Sequence, residues 1–191
     1  NYYYSYYYLG LIHEDLNAGY YDIKKSISYF EKGDLNNVLQ TQTRLCNLYS
    51  FNYIKHAEIN KDVDLAIEYC KKAVSQNDAE AQYLLGQIYC LDEFAIFNFD
   101  ECFSLTKKSA DQNFSYANFY IALLYSIGRG TEIDLFKSHQ YFLKAADQGL
   151  NQSYNFLAGN YSLGQGVEKD IKKAIYYREL LIKNSNDRNE L

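Results

Sequence analysis

The sequence predicts an all-α protein, a solenoid of about five stacked antiparallel helix pairs. Three observations carry that prediction. The 191-residue chain repeats itself with a period of 36 residues, each period splits into two helix-like halves, and there is no proline. A fixed period of this length marks a stacked architecture, whose single hairpins cannot bury their apolar faces alone. Average usage would give roughly ten prolines in a chain of this size, and proline is tolerated at few helical positions.

The third to fifth repeats are clearest. A shift of 36 lays Tyr89, Tyr125 and Tyr161 on one another, with Ala81, Ala117 and Ser153 before them and Gly86, Ala122 and Ala158 between. Downstream the register holds through Asn98, Asp134 and Asp170, through Cys102, Ser138 and Ala174, and through Gln112 and Gln148. A shift of 40 brings Thr41, Cys46 and Tyr49 into the same roles, so the second repeat carries extra residues, and one more step of 36 reaches Ser5, Leu9, Gly10 and His13. The repeats therefore run near 5–40, 41–80, 81–116, 117–152 and 153–188 of one domain. In the fourth, Ser115 to Ile127 and Leu135 to Gln148 read as two helices parted by Gly128-Arg129-Gly130. Asp22, Asp62, Asn98, Asp134 and Asp170 stand where each second helix needs a side-chain acceptor for its first exposed amides.

The fifth repeat reads Ser153, Leu157, Ala158, Tyr161, Gly164, Gly166, Val167, Asp170, Lys173, Ala174 and Tyr177 at fixed spacing. This pattern resembles the Sel-1-like repeat of the tetratricopeptide-like superfamily. The fourth repeat matches well; the third has Asp92 and Phe94 in place of the loop glycines, and the first two are degenerate, with His13 for the tyrosine and Cys46 for the glycine. The resemblance implies a right-handed superhelix whose first helices line a concave groove. It further implies a non-catalytic scaffold or adaptor holding a protein or peptide segment. Family members serve in complex assembly, membrane-protein quality control, and bacterial signalling or host-directed effector proteins. A second implied reading is an enzyme like the family's cysteine-rich members reported to bind or hydrolyse β-lactams, which carry a cysteine pair bridging the helices of each repeat.

Removing the packing positions from each first helix leaves a stripe expected to face the groove: Tyr7 and Leu11, Thr43 and Asn47, Tyr83 and Gln87, Phe119 and Leu123, then Asn155. An aromatic centre with a polar periphery suits a peptide ligand, although Phe119 and Leu123 fit inter-repeat packing equally well. Two irregular segments, Ser50 to Lys61 and Leu91 to Phe99, depart from the repeat and are further contact candidates. Tyr2, Tyr3, Tyr4, Tyr6, Tyr7 and Tyr8 crowd the first helix, which points to self-association through that end. That uncapped start and the missing initiator methionine read as a fragment of a longer protein.

Other chemistries are thinly supported. A net charge of -5 gives no electrostatic footprint for nucleic acid, and no run of about 18 apolar residues is present for membrane insertion. Cys46, Cys70, Cys90 and Cys102 form no C-x-x-C pair and have no histidine at ligand spacing, so no metal and no cofactor is expected. They read as buried free thiols, and hence suggest a reducing compartment, the cytoplasm or a host cytosol for an effector. His13 reads as a core stand-in for tyrosine and His139 as a surface residue. The string from Ser104 to Lys107 matches a serine–lysine signature without its companion motifs. No catalytic residue is assigned.

Overall fold

The computed structural model describes residues 2–17, 19–50, 62–91 and 97–186. Among these there are ten helices and no strand: α1 (Tyr4–Glu14), α2 (Ile23–Asp34), α3 (Leu39–Ser50), α4 (Val63–Ser75), α5 (Ala79–Cys90), α6 (Phe99–Asp111), α7 (Ser115–Ile127), α8 (Leu135–Asp147), α9 (Gln152–Leu163) and α10 (Ile171–Asn186). They fall into two compact units, Asn1–Phe97 and Asn98–Leu191. Within the first, α1 pairs with α2 and α3 with α4, and α2 and α4 pack on the first helix of the next repeat. Within the second, α7 pairs with α8 and α9 with α10, while α6 packs on α7 and α8 on α9.

The repeating sequence positions do the same work each time. The side chains of Asp22, Asp62, Asn98, Asp134 and Asp170 accept from the backbone N–H of Lys25, Leu65, Glu101, Lys137 and Lys173 at 2.9–3.1 Å. Each such cap satisfies a first-turn amide that otherwise has no partner. That amide of Lys137 also holds the Asp134 carboxyl below its ordinary range, helped by the Lys137 ammonium. The hairpin is closed from the other side: the N–H of Asp22, Asp134 and Asp170 donates to the carbonyl of His13, Tyr125 and Tyr161 at 2.8–2.9 Å.

Two glycines per loop divide the labour. Gly128 and Gly164 end α7 and α9 in the left-handed region, at φ 70° and 74°. Gly130 and Gly166 are also left-handed, and a Cβ there would lie 2.0 Å from the Phe99 carbonyl oxygen and 1.9 Å from that of Leu135. The loop can therefore approach the start of the preceding repeat's second helix only through a residue with no side chain. At the turns between repeats the left-handed position is held by Asn37, Asn77, Asn113 and Gly149.

One expectation fails outright. Cys46 and Cys70 are joined in a disulfide that bridges α3 and α4, with Cα atoms 4.8 Å apart, and Cys90 and Cys102 are disulfide-bonded as well. No cysteine is a free thiol, so the suggestion of a reducing compartment loses its footing. The expected burial is present, at 0% exposure for Cys46 and Cys70. The bond was missed because the 24-residue separation matches no local motif, whereas hairpin packing brings the two sulfurs together.

Candidate interaction surface

Each first helix spends one face on packing and leaves another accessible. Along α3, α5 and α7 the stripes Thr41–Leu45–Leu48, Ala81–Leu85–Ile88 and Ala117–Ile121–Leu124 are buried, none more than 3% exposed. The stripe expected to bind lies beside them. Of its members, Tyr7, Leu11, Asn47, Tyr83, Gln87, Phe119 and Leu123 are half-buried, Asn155 is exposed, and Thr43 is buried at 8%.

In the first unit this surface is polar and charged. Tyr7 of α1 and Thr43 of α3 line one pocket of about 140 Å³ with Gln40, Arg44, Asp78 and Glu80. Leu11 lines a second with Glu14, Asp15 and Arg44. The Arg44 guanidinium donates through both Nε and Nη2 to the Glu14 carboxylate, a two-pronged pair across 30 residues of sequence. Burial works to lower the Arg44 pKa, but the hydrogen bonds and charge of Glu14 prevail and hold it above its ordinary value. Asn47 donates to Glu80 at 3.1 Å, and Thr43 turns its hydroxyl back to the Leu39 carbonyl. Glu14 continues the Tyr7–Leu11 stripe by one more turn and was legible from the sequence on that ground, whereas Arg44, Asp78 and Glu80 were not singled out.

In the second unit the stripe is aromatic and already engaged. Phe119 packs edge-on against Phe142 and Phe156, with centroids 5.6 and 5.4 Å apart, and Phe142 stacks on Phe156 at 4.7 Å. Phe119 and Leu123 pack on the core formed by Ala122, Phe142, Ala146 and Leu157. The packing alternative thus describes where these two side chains sit, with only their outer surfaces left accessible. Asn155 accepts from Arg178 at 2.6 Å.

A second recurrent feature runs along the hairpins. Tyr49 stacks on Tyr69, Tyr125 on Tyr141, and Tyr161 on Tyr177, with centroids 5.8–6.0 Å apart and planes within 12° of parallel. His13 takes the same place on Tyr29 and donates through Nδ1 to the Tyr20 carbonyl at 2.8 Å. Lysines cover the faces, Lys72 over Tyr69 and Lys144 over Tyr141 at 4.8 Å. Desolvation, and then neighbouring Glu31 for Tyr69 and Tyr161 for Tyr177, push both hydroxyls up to about 12. These phenols stay neutral and serve as packing.

The remaining candidates resolve as structure. His139 is buried at 1% rather than on the surface; its ring meets Tyr161 edge-on at 4.9 Å and its Nδ1 lies 3.3 Å from the Asn160 amide. That contact explains the polar Asn160 at an apolar register position. Lys107 is bound by Asp111 at 2.5 and 2.7 Å and its pKa is raised, against desolvation, chiefly by that bond, so it is no base for Ser104. Among the described residues no three His, Cys, Asp or Glu gather as a metal set, and no helix is long and apolar enough to cross a membrane. Phe51, Tyr53 and His56 of the Ser50 to Lys61 segment, and Phe94 and Ile96 of the Leu91 to Phe99 segment, lie outside the described residues.

The Sel1 repeat model matches residues 4–33, 42–78, 79–114, 115–150 and 151–183. The chain belongs to the Sel1 repeat family. Sel1 repeats generally act as protein–protein interaction scaffolds. Among solved structures it is similar to a protective antigen of uropathogenic Escherichia coli with an SLR fold, at 26% identity and a TM-score of 0.84, covering 94% of this chain and 38% of that one. This chain thus spans well under half the length of that relative. A Sel1 repeat protein from Oxalobacter formigenes matches at 24% identity and a TM-score of 0.81, over 94% of this chain and 72% of that one. Cysteine rich protein B of Helicobacter pylori matches at 24% and 0.51, over 64% and 88%. No curated protein matches the chain by sequence.

Proposed function

We propose that this Sel1 repeat chain is a non-catalytic adaptor that holds a segment of another protein against the accessible stripe of its first helices. The observation that carries the reading is that Tyr7 and Thr43, from first helices of different repeats, line one pocket. A surface shared between repeats can read a ligand longer than one hairpin, which suits an extended or helical peptide. Carboxylates of Glu14, Asp78 and Glu80 outnumber Arg44 there, which favours a segment carrying basic side chains. Photo-crosslinking groups placed at Leu11, Gln87 and Asn155 should capture the same protein from the source cell, while groups at Lys71 and Gln140, exposed on second helices, should not. Capture through Lys71 and Gln140 alone would move the working surface off the first helices.

The helix-bridging Cys46–Cys70 disulfide favours a second reading, kinship in activity with the cysteine-rich members. Opening of a β-lactam ring, followed by its ultraviolet absorbance, tests it. No turnover and no binding would leave the adaptor.

A further inference from the structure

Three Asn-x-Ser sequons occur in the chain, at Asn113, Asn151 and Asn160, and such a sequence accepts an N-linked glycan where it stands on an accessible surface. The fold separates the three. Asn160 lies within α9, half-buried, with its amide 3.3 Å from Nδ1 of His139, and its sequon hydroxyl, that of Ser162, donates back to the Gly159 carbonyl at 2.9 Å. Asn151 is half-buried at the start of α9, where its carboxamide oxygen accepts from Asn184 at 3.0 Å, and the Ser153 hydroxyl is fully buried. A sequon is read through both its carboxamide and its hydroxyl, and neither of these pairs can be reached without opening α9.

Asn113 is exposed in the turn between α6 and α7, at φ 62°, a left-handed position that asparagine tolerates. At the same position of earlier turns the carboxamide is occupied: Asn37 Oδ1 accepts from Nε2 of Gln42 at 3.1 Å, and Asn77 Oδ1 from Nε2 of Gln82 at 3.0 Å. The residue in that donor's register here is Asn118, shorter by one methylene, and it donates to Gln148 Oε1 at 2.9 Å instead. Gln148 in turn holds Asn113 by its backbone carbonyl at 2.6 Å, so the turn is fixed while the carboxamide makes no hydrogen bond among the described residues. The hydroxyl of Ser115, the first residue of α7, is equally uncommitted among them. The cysteines point to the compartment: Cys46 is bonded to Cys70, Cys90 and Cys102 are disulfide-bonded as well, and disulfides persist where thiols are oxidised, the setting in which sequons meet their transferase.

We propose that Asn113 is an N-glycosylation site. Its Nδ2 attacks the anomeric carbon of an oligosaccharide carried on a polyprenyl diphosphate. A carbon–nitrogen bond forms, the carbon–oxygen bond to the diphosphate breaks, the polyprenyl diphosphate leaves, and the amide gives up one proton to a base of the transferase. The site is independent of the first-helix surface that holds the partner segment. It is tested on the protein from its source cell, digested with trypsin and read by tandem mass spectrometry. Cleavage after Lys108 and Arg129 isolates this sequon in the peptide 109–129, and cleavage after Lys144 and Lys169 puts the other two in the peptide 145–169. The first peptide should carry a glycan mass that fragmentation places on Asn113, and the second should be unmodified. Ser115→Ala, made in the same cell, removes the sequon without altering the left-handed residue, so it should lose the glycan while its circular dichroism matches the unaltered protein. Asn113→Gln should lose the glycan too. An unmodified peptide 109–129, a glycan on Asn151 or Asn160, or one retained on Asn113 in Ser115→Ala would each overturn the proposal.

Discussion

Removing the Cys46–Cys70 bond by Cys46→Ala/Cys70→Ala opens a cross-link between residues 24 apart, and its cost follows from the length of the loop it closes. A cross-link of that span withholds chain entropy from the unfolded state worth about 3.5 kcal/mol at room temperature. Both sulfurs are fully buried, so the small voids left by alanine add to the loss. With a urea dependence of about 2 kcal/mol per molar, the unfolding midpoint should fall by ~1.7 M, read by far-ultraviolet circular dichroism. The companion measurement is a thiol titration in denaturant without reductant, which should find none. Titratable thiols, or a loss below about 1 kcal/mol, would refute the reasoning that α3 and α4 are stapled through their buried faces.

Three further outcomes rest on other contacts. Gly166→Ala should destabilise by well over the cost of Gly164→Ala in thermal melts: both are left-handed, a penalty of about 1–2 kcal/mol for alanine, but only at 166 does the new Cβ meet a backbone oxygen at 1.9 Å. Arg44→Met should cost about 3 kcal/mol in urea unfolding by taking the guanidinium away from the 4%-exposed Glu14 carboxylate, and Glu14→Gln in the same chain should restore most of it. Desolvation, then Lys173, lowers the His139 pKa below its ordinary 6.5, so folding favours the neutral ring. Its contribution is whole above 6.5 and is lost as pH falls through the lowered folded value, by up to about 1.4 kcal/mol per pH unit. His139→Gln should flatten that part of the stability–pH curve measured by denaturant titration.

The helices, their caps and their loops were legible in the sequence because each depends on residues a few positions apart. Asp134 caps α8 through an amide three residues away, and Gly128 ends α7 by its own φ. The candidate stripe was legible only as a periodicity. Which of its members stay accessible depended on the next repeat: Phe119 is engaged because Phe142 and Phe156 converge on it, while the same register in α1 leaves Tyr7 beside Thr43. The Arg44–Glu14 pair joins residues 30 apart and has no signature in either helix alone.

The sequence by itself determined the five repeats and the family, since a 36-residue period forces every repeat to reuse one local solution. Tertiary structure alone decided the state of the cysteines, the burial of His139 and the pairing of Arg44 with Glu14. Each of these is a property of what lies across a helix–helix contact, and the chain spacing between the groups involved carries no information about that distance. A cysteine beside a cysteine is a bond, a histidine beneath an asparagine is a core residue, and an arginine beside a buried glutamate is an ion pair.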